Sequence, residues 1–600
     1  MTMSNGSPTA RATAWLASFG DALGRGEIGA ALTQFQDDCY WRDLLTFTWN
    51  VKTVEGKDAI ATMMRATRAD VQAGAWTIEG EATEADGVTE AWFTFETAVA
   101  RGRGHMRLRG EQCWTLLTTM TELKGHEEKK GANRISGVRH GAEKGRRTWL
   151  EQRAEDMAEL GHGRQPYCLI IGGGQGGIAL GARLKRLGVE TIIVEKNARP
   201  GDSWRNRYRS LVLHDPVWYD HMPYLPFPDD WPVFTPKDKF GDWLEMYAKV
   251  MELDYWGSTE CLGAAYDSTA KEWAVKVDRD GSETVLRPKQ LVFATGAYGY
   301  PKDIQFPGAE SFTGETLHTS AYTSGEAFRG KKCIVIGSGS SGHDIAADLW
   351  EHDADVTIIQ RRPTIVVRSE TLMELGFAEL YSEQALQRGI TTDKADLMFA
   401  SVPFRLMPSF QIPLYEEIAK VDAAFYARLE AAGFRLDFGE DGAGLMAKAL
   451  RTASGYYIDV GCSDLIADSE IKLKSDVDIA GIGERSVQFS DDTELPADVI
   501  IHATGYGSMD DMVADLISPA VADKVGRFWG YGSGTEGDPG PWEGELRNMW
   551  KPSNQEALWF HGGNLHLSRH YSLYVSLQIK ARMEGIPTPV FGLTPAAPRP

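Results

Sequence analysis

Tyr167-Cys168-Leu169-Ile170-Ile171-Gly172-Gly173-Gly174-Gln175-Gly176-Gly177 is an apolar run that breaks into a glycine-rich turn. A short apolar run bounded by a turn signal reads as a buried strand. The residues after Gly177 have the composition of a helix. Strand, G-x-G-x-x-G turn and helix in that order form the phosphate-binding corner of a dinucleotide fold. Gly172 permits the tight turn, Gly174 lets a pyrophosphate approach the backbone, and Gly177 lets helix pack on strand. The helix start offers unpaired N–H groups to the phosphate. Thr191–Val194 follows as a second strand and ends at Glu195, about 20 residues on, where a carboxylate binds ribose hydroxyls.

The same pattern recurs. Cys333–Ile336 reads as a strand, and Gly337-Ser338-Gly339-Ser340-Ser341-Gly342 carries the three glycines at the same spacing. Here the next strand, Val356–Ile359, ends at Gln360, Arg361 and Arg362. The acid is missing, and two arginines stand where a 2′-phosphate would sit. Arginine makes paired, charge-assisted bonds to phosphate, which favours NADPH over NADH. Two dinucleotide units in one chain imply hydride transfer from a nicotinamide to a flavin.

Six hundred residues need several domains. The composition, 42% hydrophobic and 24% charged, is that of a soluble globular protein. A net charge of −21 argues against nucleic acid and anionic membranes as partners. No signal peptide or membrane span is evident. The six cysteines form no C-x-x-C pair, so a redox disulfide or thiolate metal site is not expected, and a reducing cytoplasm suits them.

The expected architecture is α/β: two Rossmann-like domains for FAD and NADPH, the second inserted in the first, preceded by an α+β domain. Residues 1–123 form the α+β domain, its first ten residues disordered, with helical spacing at Trp15, Leu16, Phe19 and Leu23 and strand-like alternation near Trp76–Ile78, Trp92–Phe95 and Glu111–Leu117. Residues 124–164 are a charged linker and an amphipathic helix bearing Trp149, Leu150, Ala154, Met157 and Leu160. The first part of the FAD-binding domain is 165–330. The NADPH-binding domain with a helical insertion is 331–495, and the C-terminal part of the FAD-binding domain is 496–600. Residues 1–123 are expected to fold alone, and their removal to leave FAD binding in place.

From about 165 to 585 the chain resembles the flavin-containing monooxygenases, class B flavoprotein monooxygenases. The motifs are Gly201-Asp202-Ser203-Trp204, the signature from Phe312 to Tyr322 with His318 inside it, Ala294-Thr295-Gly296, and Ala503-Thr504-Gly505-Tyr506. The resemblance implies an enzyme that oxygenates a small molecule with O2 through a C4a-(hydro)peroxyflavin, by Baeyer–Villiger oxidation of a ketone or by oxygenation of sulfur or nitrogen. Ketone, sulfide, amine and indole all remain open as substrates, and a homodimer is a common state. The alternative is a flavin-dependent NAD(P)H oxidase or reductase that only releases peroxide.

The resemblance also implies roles for residues. FAD would be held by Gly172, Gly174, Gly177, Glu195 and Trp204, with Thr504 and Gly505 also at the cofactors. NADPH would be held by Gly337, Gly339, Ser341, Gly342, Arg361 and Arg362, and His318 would support the hinge between the units. His214 stands where related members place a flavin-facing asparagine. That histidine resembles a bacterial subgroup with an N-terminal extension, whose members oxidise ketones and in part accept NADH. His214 is the expected catalytic donor and Ser340 the second candidate. Tyr322 replaces the tryptophan of the true Baeyer–Villiger enzymes. The N-terminal stretches Cys39–Asp43 and Gly56–Ile60 resemble the cone-shaped SnoaL or NTF2-like folds. Such a cone could isomerise a ketone through Asp43, or serve docking and dimer contacts; docking is the preferred reading.

Overall fold

The computed structural model describes residues 6–138, 140–296, 299–302, 304–593 and 596–599. Two five-stranded parallel sheets organise it. The first runs Leu558–Phe560, Gln290–Phe293, Cys168–Ile171, Thr191–Val194, Asp254–Trp256. The second runs Glu315–His318, Val499–His502, Lys332–Ile336, Asp355–Gln360, Lys472–Ser475. Inner strands such as Cys168–Ile171 and Gln290–Phe293 are buried at every residue, which is why they read as unbroken apolar runs. Each glycine loop leaves the central strand of its sheet, where the strand order reverses and a crevice opens at the carboxyl ends. The fold is therefore α/β with two Rossmann-like units behind an α+β unit, as the glycine patterns imply.

The second unit is inserted in the first, but not at the expected boundaries of 331 and 495. Glu315–His318 and Val499–His502 pair with each other and with the second sheet. The inserted unit thus begins before 331 and runs past 495. Among the described residues of 496–600, the first sheet receives only Leu558–Phe560, followed by the helix Leu565–Met583. An apolar strand carries no mark of the sheet it joins; pairing decides that.

The N-terminal unit begins with a helix, Pro8–Arg25, capped by the Ser7 side chain. Disorder through residue 10 is thus not what the structure shows, and residues 1–5 lie outside the described residues. A six-stranded sheet wraps against the helices in the order 51–55, 35–44, 112–123, 100–109, 88–96, 74–85. Its interior is filled by aromatic rings: Trp15 stacks on Phe19 with centroids 4.9 Å apart, Trp76 on Phe95 at 4.7 Å, and Trp41 meets Phe47 edge-on at 4.8 Å. Side chains alternate along a strand, so Trp41 and Asp43 point into this interior while Arg42 points out. Asp43 accepts hydrogen bonds from the Phe47 and Thr48 backbone N–H groups and from the Thr48 and Thr118 hydroxyls, at 2.6–3.0 Å. The Asp43 carboxylate is thus buried and engaged by four donors.

The helix Trp149–Glu159 forms behind a Thr148/Glu151 capping box, but Trp149, Leu150 and Met157 remain exposed, so its apolar face does not pack as expected. Nor do residues 1–123 stand apart. Leu44, Trp49, Val51, Leu117 and Met120 share one apolar core with Leu565, Tyr571 and Val575 of the C-terminal helix. Cutting the chain at 123 would expose both sides of that core.

Burial pushes the Asp43 pKa up to about 6 from 3.8, against the pull of its four donors. A raised folded-state value means stability that is full below pH 3.8 and lost as pH rises through about 6. Asp43→Ala, which leaves those donors unpaired, should cost about 2–4 kcal/mol. In chemical unfolding the advantage of the wild type over this variant should be larger at pH 4 than at pH 8, by up to about 3 kcal/mol.

Candidate active site

The glycines of the two loops divide into two kinds. A Cβ on Gly172 would lie 2.5 Å from the Ala294 carbonyl oxygen, and one on Gly177 2.0 Å from the Gly172 oxygen. In the second loop a Cβ on Gly337 would lie 2.4 Å from the Ala503 oxygen and one on Gly342 2.1 Å from the Gly337 oxygen. Gly172 and Gly337 also have φ of +104° and +120°, a region closed to most side chains. The protein itself demands these four. The middle glycines are different. Gly174 and Gly339 have φ of −74° and −84°, and a Cβ on them would meet only Ser203 Oγ at 3.7 Å and the Tyr456 oxygen at 3.9 Å. Nothing among the described residues requires a bare backbone there. A pyrophosphate lying across the start of each helix does.

The first loop has the surroundings a dinucleotide needs. Glu195 is buried and turned to the loop: Oε2 accepts from Gly173 N at 2.7 Å, and Oε1 from the Asn197 backbone at 2.9 Å. Trp204 donates from Nε1 to Gln175 Oε1 at 3.2 Å. The Ser203 and Thr295 hydroxyl oxygens are buried without a hydrogen-bond partner among the described residues, as expected of groups that turn to a polar ligand. The residues fit FAD.

At the second loop, Gln360 is buried and exchanges hydrogen bonds of 2.9 and 2.8 Å with the Arg435 backbone, so it is not available to a ribose. Arg361 and Arg362 are exposed. Arg362 has only a 3.7 Å contact with exposed Glu536. Both guanidinium groups are exposed, and the residues fit NADPH. Ser341 and Gly342 lie in the first turn of the helix Ser340–Glu351. Ser340 is already engaged, its hydroxyl donating to the Tyr456 carbonyl at 3.1 Å.

His214 is held across the junction of the two units. Its Nε2 lies 3.3 Å from Asp344 Oδ1, on the helix that carries Ser340, while the Tyr208 hydroxyl donates to Asp344 Oδ2 at 2.6 Å. Burial opposes charge on the ring, but the Asp344 bond and charge, with Asp215 and Asp459, outweigh it and raise the pKa above 6.5. The histidine therefore joins the flavin-side loop to the nicotinamide-side helix. Thr504 and Gly505 follow the second sheet, not the first: the Thr504 hydroxyl donates to the Lys302 carbonyl at 3.0 Å, and His318 Nε2 is 3.0 Å from the Gly505 oxygen. His318 ties the signature segment to the strand Val499–His502, which suits a hinge.

Reading the sequence alone misses the third wall of the first site. Gly562 and Gly563 have φ of +144° and +113°. Asn564 caps the helix Leu565–Met583, its Oδ1 accepting from Leu567 N at 3.0 Å. A Cβ on Gly176 would come within 3.3 Å of Gly562 Cα, and Gln175 donates to the Gly563 oxygen at 3.2 Å. A second helix start thus abuts the first glycine loop. The Gly-Gly-Asn turn after an apolar strand was a readable signal.

Residues 195–378 match the family described as flavin-binding monooxygenase-like. The chain is similar to indole-3-pyruvate monooxygenase YUCCA1 of Oryza sativa subsp. japonica, 32% identical over 344 residues, 57% of this chain and 77% of that protein. It is 30% identical over 343 residues to the probable indole-3-pyruvate monooxygenase YUCCA1 of Arabidopsis thaliana, 57% and 75% of the two chains. A solved structure of cyclohexanone monooxygenase with epsilon-caprolactone shares the fold at a TM-score of 0.50 and 20% identity, over 70% of this chain and 88% of that one. OTEMO in complex with FAD and NADP does so at 0.50 and 17%, over 70% and 84%.

Gly174→Val and Gly177→Val separate the two kinds of glycine. The first should leave secondary structure and the melting temperature near those of the wild type while flavin binding falls by at least about 10-fold, since the side chain occupies the phosphate's place. The second should fail to fold, because its Cβ enters the Gly172 carbonyl. Circular dichroism and flavin titration read both.

Proposed function

We infer a reaction for a chain that belongs to the flavin-binding monooxygenase-like family and is a flavin-dependent monooxygenase: NADPH and O2 are used, with FAD, to add one oxygen atom to a small organic substrate. FAD and NADPH are its cofactors. The observation that carries this reading is the pair of middle glycines, each leaving room above the start of a helix for a pyrophosphate. When bound, the flavin supplies hydride acceptance and oxygen activation.

The chain's own residues bind, orient and protect. Glu195 presents a carboxylate for the FAD ribose, and Trp204 closes over Gln175 at the loop. Arg361 and Arg362 supply two guanidinium groups for the 2′-phosphate. Ser341 and the Gly337, Gly339 and Gly342 backbone would hold the second pyrophosphate at the start of the helix Ser340–Glu351. His214 lies with Nε2 3.3 Å from Asp344 Oδ1, and its raised pKa favours a charged ring that can donate at the seam between the two nucleotide units. That seam must exclude water if activated oxygen is to reach substrate instead of leaving as peroxide. Ser340 is engaged by Tyr456, which supports a helix-anchoring role over a catalytic one.

His214 and the N-terminal unit together support placement in the bacterial subgroup with a cone-like SnoaL or NTF2-like extension, and the filled interior of that unit supports docking over catalysis. The domain ranges we propose are 6–123, 165–296 with 540–586 for the flavin side, and 304–505 for the inserted nicotinamide side.

The decisive experiment is product analysis with NADPH, O2 and a panel of a cyclic ketone, a sulfide, an amine, an indole and an aryl 2-oxo acid, the last prompted by the rice relative's name. The expected outcome is a mass gain of one oxygen on at least one substrate, or, for an oxo acid, a product of oxidative cleavage. Stoichiometric peroxide with every compound would select the NAD(P)H-oxidase alternative. His214→Asn should raise the peroxide fraction, and the difference from the wild type should shrink as pH rises through the raised His214 pKa, where the ring loses its charge.

Arg361→Ala should raise the NADPH KM by about 10- to 100-fold, the value of a charge-assisted hydrogen bond, and leave the NADH KM within about 2-fold. Equal rises for both cofactors would show that Arg361 does not read the phosphate.

A further inference from the structure

The outward face of the N-terminal sheet delivers a charged side chain into the flavoprotein. Arg42 is 1% exposed. Its Nε and Nη2 each donate to Glu545 at 2.7 Å, Nη2 also meets the Tyr571 hydroxyl at 2.9 Å, and Nη1 donates to the Ala400 carbonyl at 2.7 Å. Thr53, on the neighbouring strand, donates to Glu545 at 2.6 Å. Arg107, two strands away, donates to the Ser401 carbonyl at 3.1 Å and the Ser401 hydroxyl at 2.9 Å. Two arginines of one sheet thus bind the carbonyl end of a single helix, Thr392–Ala400, where cations are favoured.

That helix belongs to the inserted unit, and it carries Asp396. Asp396 is 2% exposed and accepts from Arg569 Nε at 2.8 Å and Nη2 at 2.7 Å. Arg569 in turn donates from Nη1 to the carbonyls of Tyr219, at 2.8 Å, and His221, at 2.6 Å. Tyr219 completes the circuit: its hydroxyl accepts from Asn564, the cap of the helix that abuts the first glycine loop, at 3.1 Å. Buried, charge-assisted bonds therefore tie the N-terminal sheet to helix Thr392–Ala400, and that helix, through Asp396 and Arg569, to the loop that bears His214.

We propose that Arg42 is a positioning residue for the oxygenation reaction: by holding the end of helix Thr392–Ala400, it sets Asp396 against Arg569 and so fixes the Tyr219–His221 loop beside the flavin site. The N-terminal unit is then a brace for the site and not a separate module. This rests on the function proposed above only for its effect on product. Bracing matters because a site open by even a small gap admits water and diverts activated oxygen to peroxide.

The test uses the full-length holoenzyme. Arg42→Met alone leaves Glu545 buried and unpaired and can fail to fold. The working variant is therefore Arg42→Met with Glu545→Gln, which removes both charges. Arg42→Lys tests conservative rescue. Thr118→Val serves as a control, since it removes an interior hydrogen bond to Asp43 on the opposite face of the same sheet. Hydrogen exchange at residues 392–401 and 217–221 needs no turnover. It should quicken by about 10- to 100-fold in the double variant, the equivalent of one charge-assisted bond, less in Arg42→Lys and not in Thr118→Val. Peroxide per NADPH consumed should rise in the same order, with the rate of flavin reduction unchanged. Equal loosening in the control would reduce Arg42 to general stability, and unchanged exchange in the double variant would overturn the proposal. If the wild type makes no oxygenated product, the functional reading falls while exchange still decides the role of Arg42.

Discussion

A fully buried guanidinium–carboxylate pair, Arg569 with Asp396, holds this molecule's parts in register. Such a pair survives burial only when its remaining hydrogen-bonding capacity is met, because taking both charges out of water costs several kcal/mol per ion. Here it is met: Arg569 spends its other donor on two backbone carbonyls, and Asp396 also accepts from the Tyr381 hydroxyl at 3.0 Å. Burial works to raise the Asp396 pKa, yet the arginine holds it down at about 2. His566 and His570 flank the pair on the same helix, and burial lowers them to about 4 and about 3. They stay neutral, so the pair's charge balance is undisturbed at neutral pH.

The geometry around this pair explains why the two nucleotide units share a seam. The helix Leu565–Met583 is buried along nearly its whole length. It packs against the first glycine helix, receives the N-terminal sheet on one side and grips the inserted unit through Arg569. His214 with Asp344 forms a second, weaker bridge across the same seam. Motions between the units, common where ligands bind between domains, work against these contacts and against others across the seam, among them Tyr208 on Asp344 and Thr392 on the Trp218 carbonyl.

The N-terminal unit shows how one strand can serve two purposes. Alternation along residues 41–43 sends Trp41 and Asp43 into the filled interior and Arg42 into the flavoprotein. The interior is closed by rings, with Gly102 and Gly104 bare because a Cβ on either would strike Phe95 or Phe93. Rings pack the inside of this unit, while a buried arginine joins its outer face to the neighbouring flavoprotein.

What the sequence alone determined was local. Two strand–glycine–helix corners declared two dinucleotide sites, because the turn, the close approach and the helix packing each need glycine at a fixed spacing. Glu195 and the Arg361–Arg362 pair stand at the ends of the strands that follow these corners, with Glu195 turned to its loop and the two arginines exposed. The tertiary structure decided everything that depends on non-local pairing. It placed Val499–His502 in the second sheet, brought the Gly562–Asn564 turn to the first loop, bound Ser340 to Tyr456 and His214 to Asp344, and ran Arg42 into a junction more than 500 residues away along the chain. No periodicity encodes such contacts, because hydrogen bonds between distant segments arise from the packing of whole elements, and the residues that make them look locally like any arginine, serine or histidine.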